Sequence, residues 1–329
     1  MGKIADDPAV KWLERSPDPS VRYLTLVDVL GYPRDSREAL AACKLIPKGP
    51  KVRLLLSGQR SDGGFGVHPY QKWTGAHWRL VSLVELAIPR GYGPAVEATD
   101  LVLDWLTGDG HRAGIKVING LTRRCASQEG NALGVCSYLG LAEDPRVKLL
   151  AESLAKWQWP DGGWNCDKKP EAHHSSFAES LSTLWGVSLY VMATGDREAA
   201  RAKERAAEFF LSHRLFRSHR TGKVIKEELL ALHYPLYWHY DILQALRIIS
   251  MAGKLGDPRT KEALDIVEGK RRADGVWHAE GYYWTPFKES GDQRRMAANV
   301  DIVDWGRGGP NEMITLNALR VLKASGRIS

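Results

Sequence analysis

Cysteine is scarce. The 329 residues hold four, Cys43, Cys125, Cys136 and Cys166. They are widely spaced and form no Cys-x-x-Cys pair, which argues against a disulfide scaffold and fits reduced thiols in a cytoplasmic protein. Long apolar runs are also missing. The longest uncharged stretch, SLSTLWGVSLYVMATG at 180–195, has sixteen residues, short of the ~20 a membrane span needs. The start, MGKIADDPAV, lacks the apolar segment of a secretory signal, so none is expected. Asp6 stands where a myristoylation signal carries Ser or Thr. Sustained period-two alternation is nearly absent, which excludes a large sheet. No His-Glu-x-x-His spacing and no nucleic-acid module occur, so no metal, cofactor or nucleic-acid partner is expected.

Tryptophan and glycine are plentiful, at 12 and 32 residues. The net charge is +7, and 201–223 alone carries seven Lys or Arg against two Glu. That stretch reads as a solvated helix face followed by a basic loop, or as attraction to phosphate or anionic lipid at a peripheral membrane contact.

Three short stretches repeat: SGQRSDGGFG (57–66), KWQWPDGGWN (156–165) and GKRRADGVWH (269–278). Their Asp62, Asp161 and Asp274 are 99 and 113 residues apart, so a degenerate copy is expected near TGDG (107–110) and another near RTGK (220–223). Between them run amphipathic segments opened by an acidic turn, at 143–157, 195–210 and 256–270, with looser versions at 31–45 and 91–106. Asp satisfies free N–H groups of a first helical turn, and Pro suits the first helical position. A third set is greasier, at 21–31, 76–87, 130–141, 177–195, 237–253 and 311–326, and most members end in Gly. A helix apolar on most sides is buried. Six such helices, each with an amphipathic partner, predict one all-α domain over 1–329: an (α/α)6 toroid, a double ring of helices with no substantial sheet. An open helical solenoid is the structural rival.

The stretch LLAESLAKWQWPDGGWN resembles the QW repeat of squalene–hopene cyclases and their relatives. Gln158, Gly163 and Trp164 fill its places, and Gln59, Gly64 and Phe65 fill them in the first copy. The third copy keeps Gly275 and Trp277 but has Lys270 or Arg271 for Gln. With the sixfold pattern, the chain is similar to the terpenoid cyclase and protein prenyltransferase superfamily. The resemblance implies a toroid in which these repeats tie helices together. It also implies two possible activities. Class II cyclases use an Asp-x-Asp-Asp acid motif, and protein prenyltransferases use zinc held by Asp-x-Cys and His. Neither motif occurs here, so the sequence leaves open whether the chain is an enzyme.

A toroid points its inner helix N-termini at one rim, where dipoles favour anions. The twelve leading rim candidates are Trp73, His77, Trp78, Glu129, His174, Trp238, His239, Asp241, Tyr283, Trp284, Asn311 and Glu312; Asn131, His173, Glu179 and Tyr237 also stand at inner-helix starts. Asp241 with His239 is the leading acid–base pair, with Glu312 as a further acid. The alternatives are that Asp241 caps its helix, that His239 is an interior residue and that Glu312 answers the helix dipole. The remaining nine are candidate substrate contacts. The aromatic ones suit an apolar or cationic ligand. The long segment between the last two inner helices is expected to fold over the cavity mouth. The function implied is binding of an isoprenoid-like apolar ligand, with acid-initiated cyclisation by Asp241. The rivals are a non-catalytic scaffold and a carbohydrate-processing toroid using Glu129, Asp241 and Glu312.

Overall fold

The computed structural model describes residues 4–286 and 299–329, so the Met1-Gly2 start lies outside them. Fourteen α-helices follow one another among these residues. They are α1 (Pro8–Glu14), α2 (Pro19–Leu24), α3 (Arg37–Cys43), α4 (Pro50–Leu56), α5 (Ala76–Glu85), α6 (Gly93–Thr107) and α7 (Asp109–Ala113). Then come α8 (Ser127–Leu139), α9 (Pro145–Trp157), α10 (Phe177–Thr194), α11 (Arg197–Ser212), α12 (Ile242–Met251), α13 (Lys261–Gly269) and α14 (Glu312–Ala324). A π-helical turn, Thr25–Val29, extends α2. The strands are short and paired in twos. β1 (Lys116–Ile118) meets β2 (Leu121–Arg123), and β3 (His278–Ala279) meets β6 (Gly309–Pro310), both antiparallel. β4 (Thr285–Pro286) runs parallel to β5 (Val300–Asp301). The expected mostly helical class therefore stands.

The six greasy segments are α2 with its π turn, α5, α8, α10, α12 and α14. Their burial follows from composition: α5 buries Ala76 through Val84, and α8 buries all but Gln128 and Tyr138. The partner helices are amphipathic. In α11, Ala199, Ala202, Ala206, Phe209 and Phe210 face inward while Arg201, Glu204 and Glu208 stay wet. Neighbouring greasy helices pack in sequence, α5 on α8, α8 on α10, α10 on α12 and α12 on α14, and α14 also packs on α1, α2 and the π turn. The tightest crossing is α8 with α10. A Cβ on Gly186 would stand 1.8 Å from the Gly130 carbonyl oxygen, so only glycine admits this approach.

The helix ends obey local chemistry. Asp144, Asp196, Ser176, Asp241 and Asn311 each accept a backbone N–H of the first turn they precede. Gly140 and Gly195 close α8 and α10 in the left-handed conformation. The fifth greasy helix begins at Ile242 rather than at 237, because Asp241 caps it and 231–241 is irregular.

The Asp-Gly stretches share one geometry. The Gln158 amide donates to Gly162 O at 2.7 Å and to Ala202 O of α11 at 2.8 Å. Gln59 does the same to Gly63 O at 3.1 Å and Pro94 O of α6 at 2.7 Å. In the third stretch Arg271 takes the glutamine's place. It donates to Gly275 O at 2.6 Å and also pairs with Asp7, the cap of α1. That contact joins residue 271 to the beginning of the described chain. Trp164 and Trp277 send their indole N–H back to Leu154 O and Val267 O, at 2.9 and 2.6 Å. The stretches therefore hold helices together. The two further copies expected near 107–110 and 220–223 take other forms. The first opens α7, and the second is a turn closed by an Arg217–Val224 bridge.

Candidate functional site

A cavity of about 410 Å³ lies among the greasy helices. All six line it: Leu24 and Asp28, Val84 and Glu85, Tyr138, Trp185 and Leu189, Arg247 and Met251, Arg320 and Val321. Most of these are residues of last turns, so the cavity lies toward the helix C-termini. Its wall mixes aliphatic side chains and Met251 with the rings of Tyr138 and Trp185 and five charged groups. Its charges form two groups. Arg34 donates to Asp28 at 3.1 Å, Arg320 donates to the other Asp28 oxygen, and Arg247 donates to Glu85 at 2.9 Å. Three guanidinium groups face two carboxylates, leaving one positive charge. A narrow inner extension of about 20 Å³ shares Glu85, Trp185 and Arg247 and ends on Tyr234, Pro235, Leu236 and Tyr237.

The N-terminal rim, where the sequence points, is filled. Trp73 stacks on Tyr237 at 4.2 Å and meets Trp78 edge-on at 4.8 Å. His239 is sandwiched by Trp238 at 4.0 Å and Tyr283 at 3.6 Å. The polar ends of the rings are mostly used: Trp73 donates to Tyr283 O, Trp78 to Tyr70 O and Trp284 to Tyr234 O. Tyr283 and Trp284 lie against this rim, away from the cavity, so the described part of their segment does not cover a cavity mouth as expected; its residues 287–298 lie outside the described ones. None of the twelve leading candidates lines either cavity, while Asn131 and Tyr237, also expected at this rim, line the inner one.

Asp241 is fully buried. One oxygen accepts the Gln244 N–H at 2.8 Å, and the other accepts the His233 N–H at 3.0 Å and lies 3.0 Å from His233 Nδ1. The expected partner was His239, and the structure puts His233 there instead. The reason is the cap: a side chain committed to the first turn faces back along the chain, toward 233. His239 is held neutral, its pKa lowered to about 3 by burial, with His233 and Lys72 adding repulsion. His77 is likewise lowered to about 3 by burial alone. His174 is exposed, beside His219. Glu129 pairs with Arg124 at 2.7 Å and His111 at 3.1 Å. Asn311 caps α14, and Glu312 lies 3.5 Å from Lys51. Glu129, Asp241 and Glu312 thus serve three different basic partners.

One buried acid escaped the sequence reading. Asp301 Oδ2 accepts the Tyr237 hydroxyl and, at 3.0 Å, the Trp305 indole N–H, while Oδ1 accepts Val303 N–H at 3.1 Å. Burial raises its pKa to about 6, against the pull of those donors. Tyr237 holds a left-handed backbone at φ 49°, a strained choice for a bulky residue. The cavity residues left one sequence signal: a charge late in a greasy segment, as in Asp28, Glu85, Arg247 and Arg320.

No family model and no curated protein matches the chain. Among solved structures, a protein from Actinoplanes is 16% identical at a TM-score of 0.41, with 97% of this chain and 88% of that chain covered. Two structures of the type II terpene cyclase MstE from Scytonema are each 13% identical at a TM-score of 0.28, covering 84% of this chain and 95% of that one. One holds merosterolic acid A as product, the other geranylgeranyl dihydroxybenzoate as substrate. The cavity, rather than these distant likenesses, carries the function proposed next.

Proposed function

We propose that the chain is a single α/α toroid whose central cavity holds an apolar, isoprenoid-like small molecule. The observation that carries this reading is the cavity of about 410 Å³ lined by all six greasy helices, five of them giving it an apolar aliphatic or Met side chain and α8 the ring of Tyr138. Its size falls in the roughly 300–1,000 Å³ range of small-molecule pockets. The chain lies inward along the aliphatic wall, and a polar or anionic end group meets Arg34, Arg247 and Arg320. The surplus positive charge there favours a diphosphate or carboxylate over an alcohol. Acid-initiated cyclisation is not assigned to Asp241, because its oxygens are committed to the helix cap and to His233. Chemistry on the inner end of a ligand would draw on Tyr237, backed by Asp301.

The test is calorimetric titration of the full chain with isoprenoid alcohols and diphosphates from geranyl to geranylgeranyl length. Saturable binding with a negative heat-capacity change is expected, tighter for the diphosphate and weakened by salt. Absence of binding across the whole series overturns the reading.

A further inference from the structure

We propose that Cys125, Cys166 and Glu179 form a binding site for a thiophilic divalent cation of the zinc class. The three residues are far apart in sequence, and the backbone brings them together. Arg123 bridges to Asn165 in parallel, and Arg124 N–H donates to Asn165 O at 3.1 Å. That pairing sets Cys125 beside Cys166. Ser176 N–H donates to Trp164 O at 2.8 Å, which anchors the start of α10 and with it Glu179 against the same strip. Glu179 is buried in the first turn of α10, and its Oε2 accepts Ser127 N–H at the start of α8, at 2.9 Å. Its Oε1 is left for the thiols, 3.7 Å from Cys166 Sγ.

One ligand atom from each of the three residues lies within 4.8 Å of the others. Ligands held tetrahedrally at roughly 2.3 Å (sulfur) and 2.1 Å (oxygen) are about 3.6–3.8 Å apart. The Cys166–Glu179 edge already has that length, and the other two edges are no longer than 4.8 Å. Two thiolates with one carboxylate select zinc over magnesium or calcium, whose ligands are oxygen. Both thiols are half-buried, so an ion can enter. Three protein ligands leave a fourth position open.

The surrounding charges are compatible. Three deprotonated ligands and a divalent ion sum to −1, and Arg124 stands beside them, bound to Glu129 at 2.8 Å. His111 is the other neighbour of that carboxylate. Glu129 keeps its charge paired to these two bases rather than to the cluster. Neither thiol belongs to an Asp-x-Cys pair, so this is not the zinc set that the resemblance implies. It rests on side-chain geometry independent of the ligand cavity.

The test uses the full chain, reduced and freed of metal by a chelator, then titrated with Co²⁺ and competed with Zn²⁺. One equivalent of Co²⁺ is expected to give thiolate-to-cobalt charge transfer and the visible bands of a tetrahedral ion, lost on adding Zn²⁺. Cys125→Ser, Cys166→Ser and Glu179→Gln are each expected to weaken Zn²⁺ binding by about 10–100-fold or more, with Cys43→Ser as the unchanged control. Circular dichroism of each variant separates lost ligation from lost fold. No charge-transfer band, or a band that survives Cys125→Ser, overturns the proposal. So does a band absent because the two thiols have closed into a disulfide under reducing conditions. Isoprenoid titration of the metal-free protein tells this proposal from the cavity reading, since it is expected to be unaffected.

Discussion

The two ends of the greasy helices follow opposite rules. At their starts, free N–H groups must be satisfied, so Asp, Asn and Ser collect there and aromatic rings close over them. At their ends, α8 and α10 turn on glycine, a residue with no side chain to fill space. The starts therefore carry many residues that look chemical and leave no room, while the ends carry few and enclose the cavity. Polar residues at a helix start are explained first by capping, and only what capping leaves over is free for a ligand.

The largest effect expected from breaking this contrast is Asp241→Ala. It removes a cap and leaves His233 without its carboxylate in a buried site, so a loss of about 3–4 kcal/mol is expected in urea unfolding. Asp241→Asn keeps a cap acceptor and is expected to cost only ~1 kcal/mol while leaving ligand affinity unchanged. A catalytic or binding rim would give the reverse. Gly162→Ala comes next. Gly162 has φ 100°, and a Cβ would stand 2.4 Å from the Arg205 carbonyl oxygen, so about 3 kcal/mol is expected from the same measurement. At the opposite end, Ser250→Trp fills the cavity from a half-exposed position on α12. It is expected to change stability by less than about 1 kcal/mol and to abolish isoprenoid binding in calorimetry.

The smallest effect is on pH dependence. His77 has its pKa lowered to about 3 by burial, so the native state binds fewer protons than the unfolded one below the ordinary histidine value. Its contribution to stability is lost as pH falls through that window. Asp301, raised to about 6, works in the opposite sense: its contribution is lost as pH rises from the ordinary carboxylate range through 6. Melting temperatures taken from about pH 7 to about pH 4 are expected to fall less steeply in His77→Phe than in the parent. In Asp301→Asn they are expected to fall more steeply.

The helices were legible in the sequence because their signals are local. Asp-Pro openings and apolar residues at helical spacing need no knowledge of distant partners, and α9, α10 and α14 lie within two residues of where they were expected. Their mutual packing is less local, yet the Gln158 and Gln59 stretches gave notice of it. The site was mostly illegible for the same physical reason. Cys125 and Cys166 meet only through a bridge between Arg123 and Asn165. Asp301 gains its setting from Tyr237, 64 positions away. Asp28, Glu85, Arg247 and Arg320 each look like a stray charge until four helices bring them to one wall. Asp241 was visible, and its chemistry was read from type and place before the partner His233 was known.

Photolabelling with a diazirine-bearing farnesyl diphosphate, followed by peptide mapping, tests where the ligand lies. Crosslinks at Trp185, Leu189, Met251 or Val321, blocked by unlabelled ligand, are the result expected from a cavity at the helix ends. Crosslinks confined to Trp73, His239 or Tyr283 would place the ligand at the helix starts and contradict it.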